Sequence, residues 1–168
     1  MSANHPNTNE QFEALYKAEY ENMVRYAIKL LHIHGARYIS VSGRAEEAVQ
    51  ETFAFAWAER DELLSSAAPV GRLYKTLYYK VMEFLHEDRL WAKRIMQVSE
   101  SYDLESKDFR LKTEMESILP EEDYSLLKRL YLDGCSYKDL CAEYGLTKSA
   151  LAMKIKRIKE RFRREYKS

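Results

Sequence analysis

Residues 136–162 read SYKDLCAEYGLTKSALAMKIKRIKERF, and this stretch predicts a helix-turn-helix. Ser136 is a residue type that caps a helix, and Thr147 is placed to cap a second one. Gly145, between them, accepts the left-handed conformation that a tight turn needs. After the turn, apolar residues recur at steps of four, three and four, at Leu151, Ile155, Ile158 and Phe162. The pattern therefore predicts two short helices joined by a tight turn.

The core positions of this stretch fit the same motif. A helix-turn-helix has a small residue four positions before the turn glycine and an apolar residue six after it, and Cys141 and Leu151 occupy these two places. In such a motif the second helix enters the major groove of DNA and its early residues meet base edges. The sequence thus favours a DNA-reading helix. A plain helical hairpin with a solvated basic face is the alternative.

A helical wheel centred on Leu151 indicates which side chains of the second helix face outward. Lys and Arg donate to guanine, whereas apolar side chains suit the methyl group of thymine. We expect three further cations, Lys154, Lys159 and Arg161, to bind phosphates. The candidate base-reading residues are Lys148, Ser149, Ala152, Met153, Lys156 and Arg157.

Charge is strongly segregated along the chain. The 168 residues contain 27 basic and 27 acidic residues, so the formal net charge is zero. Residues 147–168 nevertheless carry nine bases against two acids, while residues 100–123 carry nine acids against three bases. Segregation of this kind is typical of a nucleic-acid-binding face combined with an acidic region. We predict domains at residues 1–98 and 120–168, joined by an acidic linker at residues 99–119.

The chain as a whole predicts an all-α protein made of two small helical domains. Five Gly and three Pro are too few for the turns of a β fold. Three apolar stripes at helical spacing precede the linker, and Thr8, which forms a capping-box pattern with Gln11, is expected to cap the first helix. Residues 61–71 are predicted to be a loop between the second and third helices. In the second helix we expect inward positions at Ala45, Ala48, Val49, Thr52, Phe53, Ala56 and Trp57.

Several functional classes find no support in the sequence. No apolar run is long enough to span a membrane and the start is polar, so we expect no membrane insertion and a cytoplasmic location. Cys135 and Cys141 fit no common zinc pattern and are expected to be reduced core thiols. His5, His32, His34 and His86 lie in no catalytic motif. We therefore expect neither an enzyme, nor a cofactor, nor a metal site.

With both halves in view, the sequence resembles the extracytoplasmic-function sigma factors, the promoter-specificity subunits of bacterial RNA polymerase. FEALYKAEYENMVRYAIKLL (12–31) and AEEAVQETFAFAW (45–57) are similar to the two opening helices of the family's second region. Residues 119–162 are similar to its fourth region. The resemblance implies that the first domain binds core polymerase and opens the minus-ten promoter element, and that the second reads the minus-thirty-five element. An anti-sigma protein is a further partner that the family implies.

Two groups of residues in the first domain suit these implied roles. Glu47, Gln50 and Glu51 form a polar rib at helical spacing, which the resemblance assigns to polymerase binding. A solvated acidic face is the alternative. Arg72, Lys75 and Tyr79 offer cations for phosphates and a ring for an unstacked base, and are the candidates for the minus-ten element. Tyr79 packed against a neighbouring helix is the alternative there.

The chain departs from the family pattern at several places. The connection at residues 32–43 is longer than usual, and the third helix lacks the family's Trp and Asn. Ala152 and Met153 stand where many members have Arg or Lys, which predicts an uncommon target sequence. Two other functional classes stay open. One is a stand-alone helix-turn-helix regulator, for which no dimerisation element is visible, and the other is a helical protein that sequesters another factor.

Overall fold

The computed structural model describes residues 7–35, 41–103 and 119–166 of the chain. Over these residues the protein is all-helical, as predicted. Seven helices follow one another in this part of the chain. They are α1 (Thr8–Ile33), α2 (Val41–Ala58), α3 (Arg60–Ser65), α4 (Pro69–Asp103), α5 (Glu121–Tyr131), α6 (Tyr137–Tyr144) and α7 (Lys148–Tyr166). The predicted linker at residues 99–119 lies outside the described residues, apart from the last turn of α4 and Leu119.

The described helices divide into two compact units. The first unit contains residues 7–35 and 44–85, and the second contains residues 41–43, 86–103 and 119–166. The helix α4 contributes its first half to the first unit and its second half to the second.

The first unit buries the apolar stripes of α1, α2 and the first half of α4. Met23 of α1, Val49 of α2 and Leu77 of α4 are fully buried. An edge-to-face ring contact links α1 to α2, because the centroid of the Phe12 ring lies 6.1 Å from that of the Phe53 ring at an interplanar angle of 88°. Edge-to-face geometry of this kind is favoured by the ring quadrupoles. The helical periods read from the sequence therefore give the buried faces of these three helices.

Three sequence-based details of the first unit are wrong. Asn7, not Thr8, caps α1, because its side chain accepts the backbone N–H of Glu10 at 2.8 Å. The predicted loop at residues 61–71 contains the short helix α3, and α4 already begins at Pro69. Trp57 is 43% exposed rather than buried. It lies near the end of α2, where its ring centroid is 5.2 Å from that of Phe12 and 4.1 Å from the guanidinium of Arg60.

The second unit has its own core, formed by the second half of α4 together with α5, α6 and α7. Trp91 and Ile95 of α4 belong to the same buried cluster as the apolar residues of the last three helices. The Trp91 ring lies 5.1 Å from the Phe162 ring of α7. Gly43 is also part of this unit, and a Cβ placed on it would lie 2.5 Å from Cδ2 of Tyr137. Only a glycine therefore allows this approach.

Within residues 7–35, 41–103 and 119–166, none of the helices combines the length and the apolar character required to cross a membrane.

Candidate nucleic-acid interface

The helix-turn-helix predicted at residues 136–162 is present as α6, a tight turn and α7. Ser136 caps α6, and its hydroxyl accepts the backbone N–H of Asp139 at 3.1 Å. Gly145 ends α6 in the left-handed conformation with φ 65°, and its N–H donates to the carbonyl of Cys141. Thr147 caps α7 by accepting the N–H of Ala150 at 3.1 Å. All three sequence-based assignments in this turn are confirmed.

The apolar spacing of α7 fixes which side of the helix is buried. Leu151 is fully buried, and Ile155, Ile158 and Phe162 are 3%, 4% and 2% exposed. All four belong to the core of the second unit, as does Leu140 of α6. Cys135 and Cys141 are free thiols, half-buried against the same core. The opposite side of α7 is therefore the side that remains open to a ligand.

An open groove of about 820 Å³ runs along one flank of the open side of α7, from the exposed residues to Ile158 at the edge of the buried stripe and Asp123 of α5. Among the candidate base-reading residues, Ser149, Met153 and Arg157 line it. Met153 is 46% exposed, so an apolar surface lies in the middle of a basic helix. The remaining groove residues are Asp123, Leu146, Ala150, Lys154, Ile158, Arg161 and Arg164.

The other candidate residues of α7 lie outside that groove. Lys148 and Lys156 are exposed, and Ala152 is half-buried. The wheel positions of Lys156 and Arg157 differ by one residue, or about 100° around the helix, so they flank Met153 on opposite sides. A duplex lying along α7 would thus meet a cation on each flank and an apolar side chain between them.

The cations expected to bind phosphates are not equivalent. Arg161 forms an ion pair with Asp123 of α5, and Lys154 lies over the ring of Tyr144, 5.1 Å from its centroid. Lys159 is only 4% exposed, so its assignment to a phosphate is wrong. The physical reason is its place on the helix, four residues after Ile155 and next to Ile158, which puts it on the buried side.

In the first unit, Arg72, Lys75 and Tyr79 lie on one exposed face of α4. Tyr79 is 60% exposed, which speaks against the alternative that it packs against a neighbouring helix. Its ring lies 5.7 Å from that of Tyr78 at an interplanar angle of 76°. Arg72 is 3.4 Å from the carboxylate of Glu62 on α3. The face therefore offers cations and two rings to a ligand that brings phosphates and bases.

A different side of α4 packs against α1 and takes no part in this face. The hydroxyl of Tyr74 donates to Oε2 of Glu19 at 3.4 Å, and its ring meets that of Tyr26. Desolvation raises the pKa of the Tyr74 hydroxyl, and the negative charge of Glu19 raises it further. Tyr74 thus stays protonated and structural, while Tyr79 faces outward.

The polar rib of α2 is only partly as predicted. Gln50 is exposed, and the Glu51 side chain is 44% exposed with its carboxylate 3.8 Å from Lys80. Glu47 is more enclosed, with a side chain 21% exposed that accepts from Arg44 at 2.7 Å. Glu51 and Gln50 are therefore the accessible part of the rib, whereas Glu47 is engaged within the unit.

Phe55 and Tyr78 are two exposed aromatic residues that the sequence-based reasoning did not single out. Phe55 is 53% exposed and follows Glu51 by one helical turn, so it extends the accessible part of the rib with an apolar side chain. Tyr78 is 38% exposed beside Tyr79. Helical spacing alone would have found Phe55, because it lies off the stripe defined by Val49, Phe53 and Ala56.

Comparison with known proteins finds no match to this chain. No family model matches the chain. No curated protein and no solved structure matches it either.

Among the described residues, no group of three or more His, Cys, Asp or Glu side chains is arranged to hold a metal ion.

Proposed function

We propose that this protein is a sigma factor of the extracytoplasmic-function type, which binds core RNA polymerase and directs initiation at specific promoters. The observation that carries the proposal is the helix-turn-helix at residues 136–162, whose second helix buries one stripe and leaves a basic side open. The helix-turn-helix by itself supports DNA binding. The sequence resemblance at residues 12–31, 45–57 and 119–162 supports the further proposal that the protein is a polymerase subunit.

The second unit would read the minus-thirty-five element as a duplex. The open side of α7 presents Ser149, Met153 and Arg157, with Lys156 on the other flank. An arginine or lysine can donate to guanine in the major groove, and Met153 suits a thymine methyl. Cations near this surface hold phosphates and set the position of the helix on the duplex.

The first unit would hold the non-template strand of the minus-ten element. Tyr79 is exposed and stands one helical turn beyond Lys75, with Tyr78 next to it. Stacking of an unpaired base on an aromatic side chain contributes about 1–3 kcal/mol, and it tolerates any base because every base has a π-face. Lys75 and Arg72 supply the charge that a strand of phosphates requires.

The accessible part of the α2 rib would dock on the polymerase. Gln50 and Glu51 are polar and acidic, and the exposed Phe55 adds an apolar anchor of the kind that dominates interface energies. This combination suits a partner helix with basic and apolar side chains. In this role the protein would act in the cytoplasm with the polymerase, and an anti-sigma protein would be a second partner.

The direct test is run-off transcription with core RNA polymerase on a pool of genomic promoters. We expect specific starts only when this protein and the core enzyme are both present, and co-purification of the core enzyme with the tagged chain. The isolated protein should bind promoter duplex weakly. Specific nanomolar binding by the isolated protein at physiological salt, without polymerase, would favour a stand-alone regulator instead.

A further inference from the structure

Lys159 lies in the most basic helix of the chain, yet its side chain is enclosed. Its ammonium is 3.5 Å from Oε1 of Glu87 and 3.7 Å from Oδ1 of Asp88, and both acids belong to the second half of α4. The side chains of Lys159 and Asp88 are 5% and 3% exposed. A buried charge is costly unless it is paired, so this contact constrains both helices.

Two aromatic rings complete the enclosure. The Lys159 ammonium lies 5.0 Å from the ring centroid of Tyr131 and 5.8 Å from that of Trp91. The Tyr131 hydroxyl donates to Oδ1 of Asp88 at 3.0 Å, so α5 is tied to the same carboxylate. One lysine of α7 thus meets α4 and α5 at a single point. We call Glu87, Asp88, Tyr131 and Lys159 the latch.

The latch lies on the side of α7 away from the groove. Phe162, one turn beyond Lys159, packs against Trp91, and Arg163 is 3.0 Å from Oε1 of Glu87. The groove residues Met153 and Arg157 are exposed on the other side. The second half of α4 therefore holds the C-terminal part of α7 without covering the residues that would read DNA.

We propose that Lys159 is a positioning residue for DNA recognition, and that it acts by latching α7 to α4 rather than by contacting DNA. The proposal rests on the proposed function, because it assumes that α7 is the DNA-reading helix. The latch sets how α7 is presented beside α5. The second half of α4 is then part of the DNA-binding unit. Lys159, although basic, does not contact the phosphates of DNA.

The test uses the full chain with Lys159→Met, and Lys156→Met as the matched control on the exposed side of the same helix. Hydrogen exchange of α4 residues 87–95 reports the latch without any DNA. Promoter binding with core polymerase, measured over a range of salt concentrations, reports recognition. The salt slope of the binding constant falls by about one when a phosphate contact is lost.

For Lys159→Met we expect exchange at residues 87–95 to accelerate at least tenfold and promoter affinity to fall at least tenfold, with the salt slope unchanged. For Lys156→Met we expect unchanged exchange and a slope smaller by about one. The double variant Asp88→Asn/Lys159→Met removes both charges and keeps an acceptor for the Tyr131 hydroxyl, and removing a buried ion pair as a whole can restore stability. It should return exchange and affinity to within about threefold of the parent.

Three results would overturn the proposal. One is a lower salt slope with unchanged exchange in Lys159→Met, which would make Lys159 a phosphate contact. Another is no change in either measurement. The third is a double variant as poorly protected as the single one. If the parent protein with core polymerase shows no promoter binding, the proposed function fails and the positioning role with it, while hydrogen exchange still decides whether the latch holds α4.

Discussion

The guanidinium of Arg44 lies 4.0 Å from the centroid of the Phe84 ring and donates to the carboxylate of Glu47 at 2.7 Å. Arg44 thereby joins the first turn of α2 to α4 within the first unit, and it draws Glu47 inward. The side chains of Arg44 and Glu47 are 13% and 21% exposed. The acidic rib of α2 is therefore divided into a structural residue, Glu47, and an accessible one, Glu51.

Charge reversal separates these two roles. We expect Glu51→Lys to weaken core-polymerase binding at least tenfold while changing the free energy of unfolding by less than about 1 kcal/mol, because its ion pair with Lys80 is long, at 3.8 Å, and only partly enclosed. Glu47→Lys should instead destabilise the protein by about 1–3 kcal/mol, because Arg44 loses a half-buried partner. Urea unfolding and a polymerase pull-down of both variants measure the two effects. Equal polymerase affinity of Glu51→Lys and the parent would reject docking through this rib.

Gly43 gives a prediction about the second unit that needs no functional assumption. Gly43→Ala should lower the free energy of unfolding by about 1–3 kcal/mol, because its Cβ would overlap the Tyr137 ring. Gly71→Ala in α4 is the matched control, since the nearest atom to its Cβ is 3.7 Å away. Alanine favours a helix over glycine by up to about 1 kcal/mol, so this control should be neutral or stabilising. Identical urea midpoints for the two variants would contradict the close approach at Gly43.

Tyr79 tests the proposal that the exposed face of α4 with Arg72 and Lys75 binds a single DNA strand. Tyr79→Ala should reduce open-complex formation on the proposed promoters by about tenfold, which corresponds to the loss of one stacked base. Tyr79→Phe keeps the ring and should behave like the parent. Permanganate reactivity of unpaired thymines in the minus-ten element measures opening. If Tyr79→Phe is as impaired as Tyr79→Ala, the ring does not act by stacking.

Met153 tests the register of α7. Because Met153 lies exposed in the groove between cationic flanks, Met153→Arg should change the preferred base at one position of the minus-thirty-five element. The expected discrimination is about 1–3 kcal/mol, favouring guanine. Selection from a randomised upstream element shows the preference directly. A base profile equal to that of the parent at every position would mean that Met153 does not face the bases.

The sequence predicts the helix-turn-helix almost completely, because its determinants are local. Caps, the left-handed Gly145 and the stripe from Leu151 to Phe162 all act within a few residues of one another. What it misses depends on contacts between distant parts of the chain. The apolar stripe of α4 continues past Leu85 to Trp91 and Ile95, but Asp88 interrupts it and hides the continuation. Asp88 can be buried there because Lys159 and Tyr131 meet it.

In the candidate sites, too, the sequence predicts what is determined locally and misses what depends on contacts between helices. Exposure of Met153 or Tyr79 follows from the helical period, so the sequence places these residues on the outer side. The enclosure of Lys159 also follows from the period, but a count of basic residues conceals it. The Arg44–Glu47 pair has the local i,i+3 spacing, but Arg44 also lies over the Phe84 ring of another helix, and no local pattern contains that contact.

The chain contains two tryptophans, and each unit holds one of them. Trp57 in the first unit is 43% exposed, whereas Trp91 in the second is 1% exposed. The fluorescence of an indole in water lies at longer wavelength than that of one in apolar surroundings. Trp57 and Trp91 therefore differ in emission wavelength. Replacing either one by phenylalanine leaves a single tryptophan to report on its unit. Denaturation of each unit can then be followed separately in the full chain, without attaching a dye.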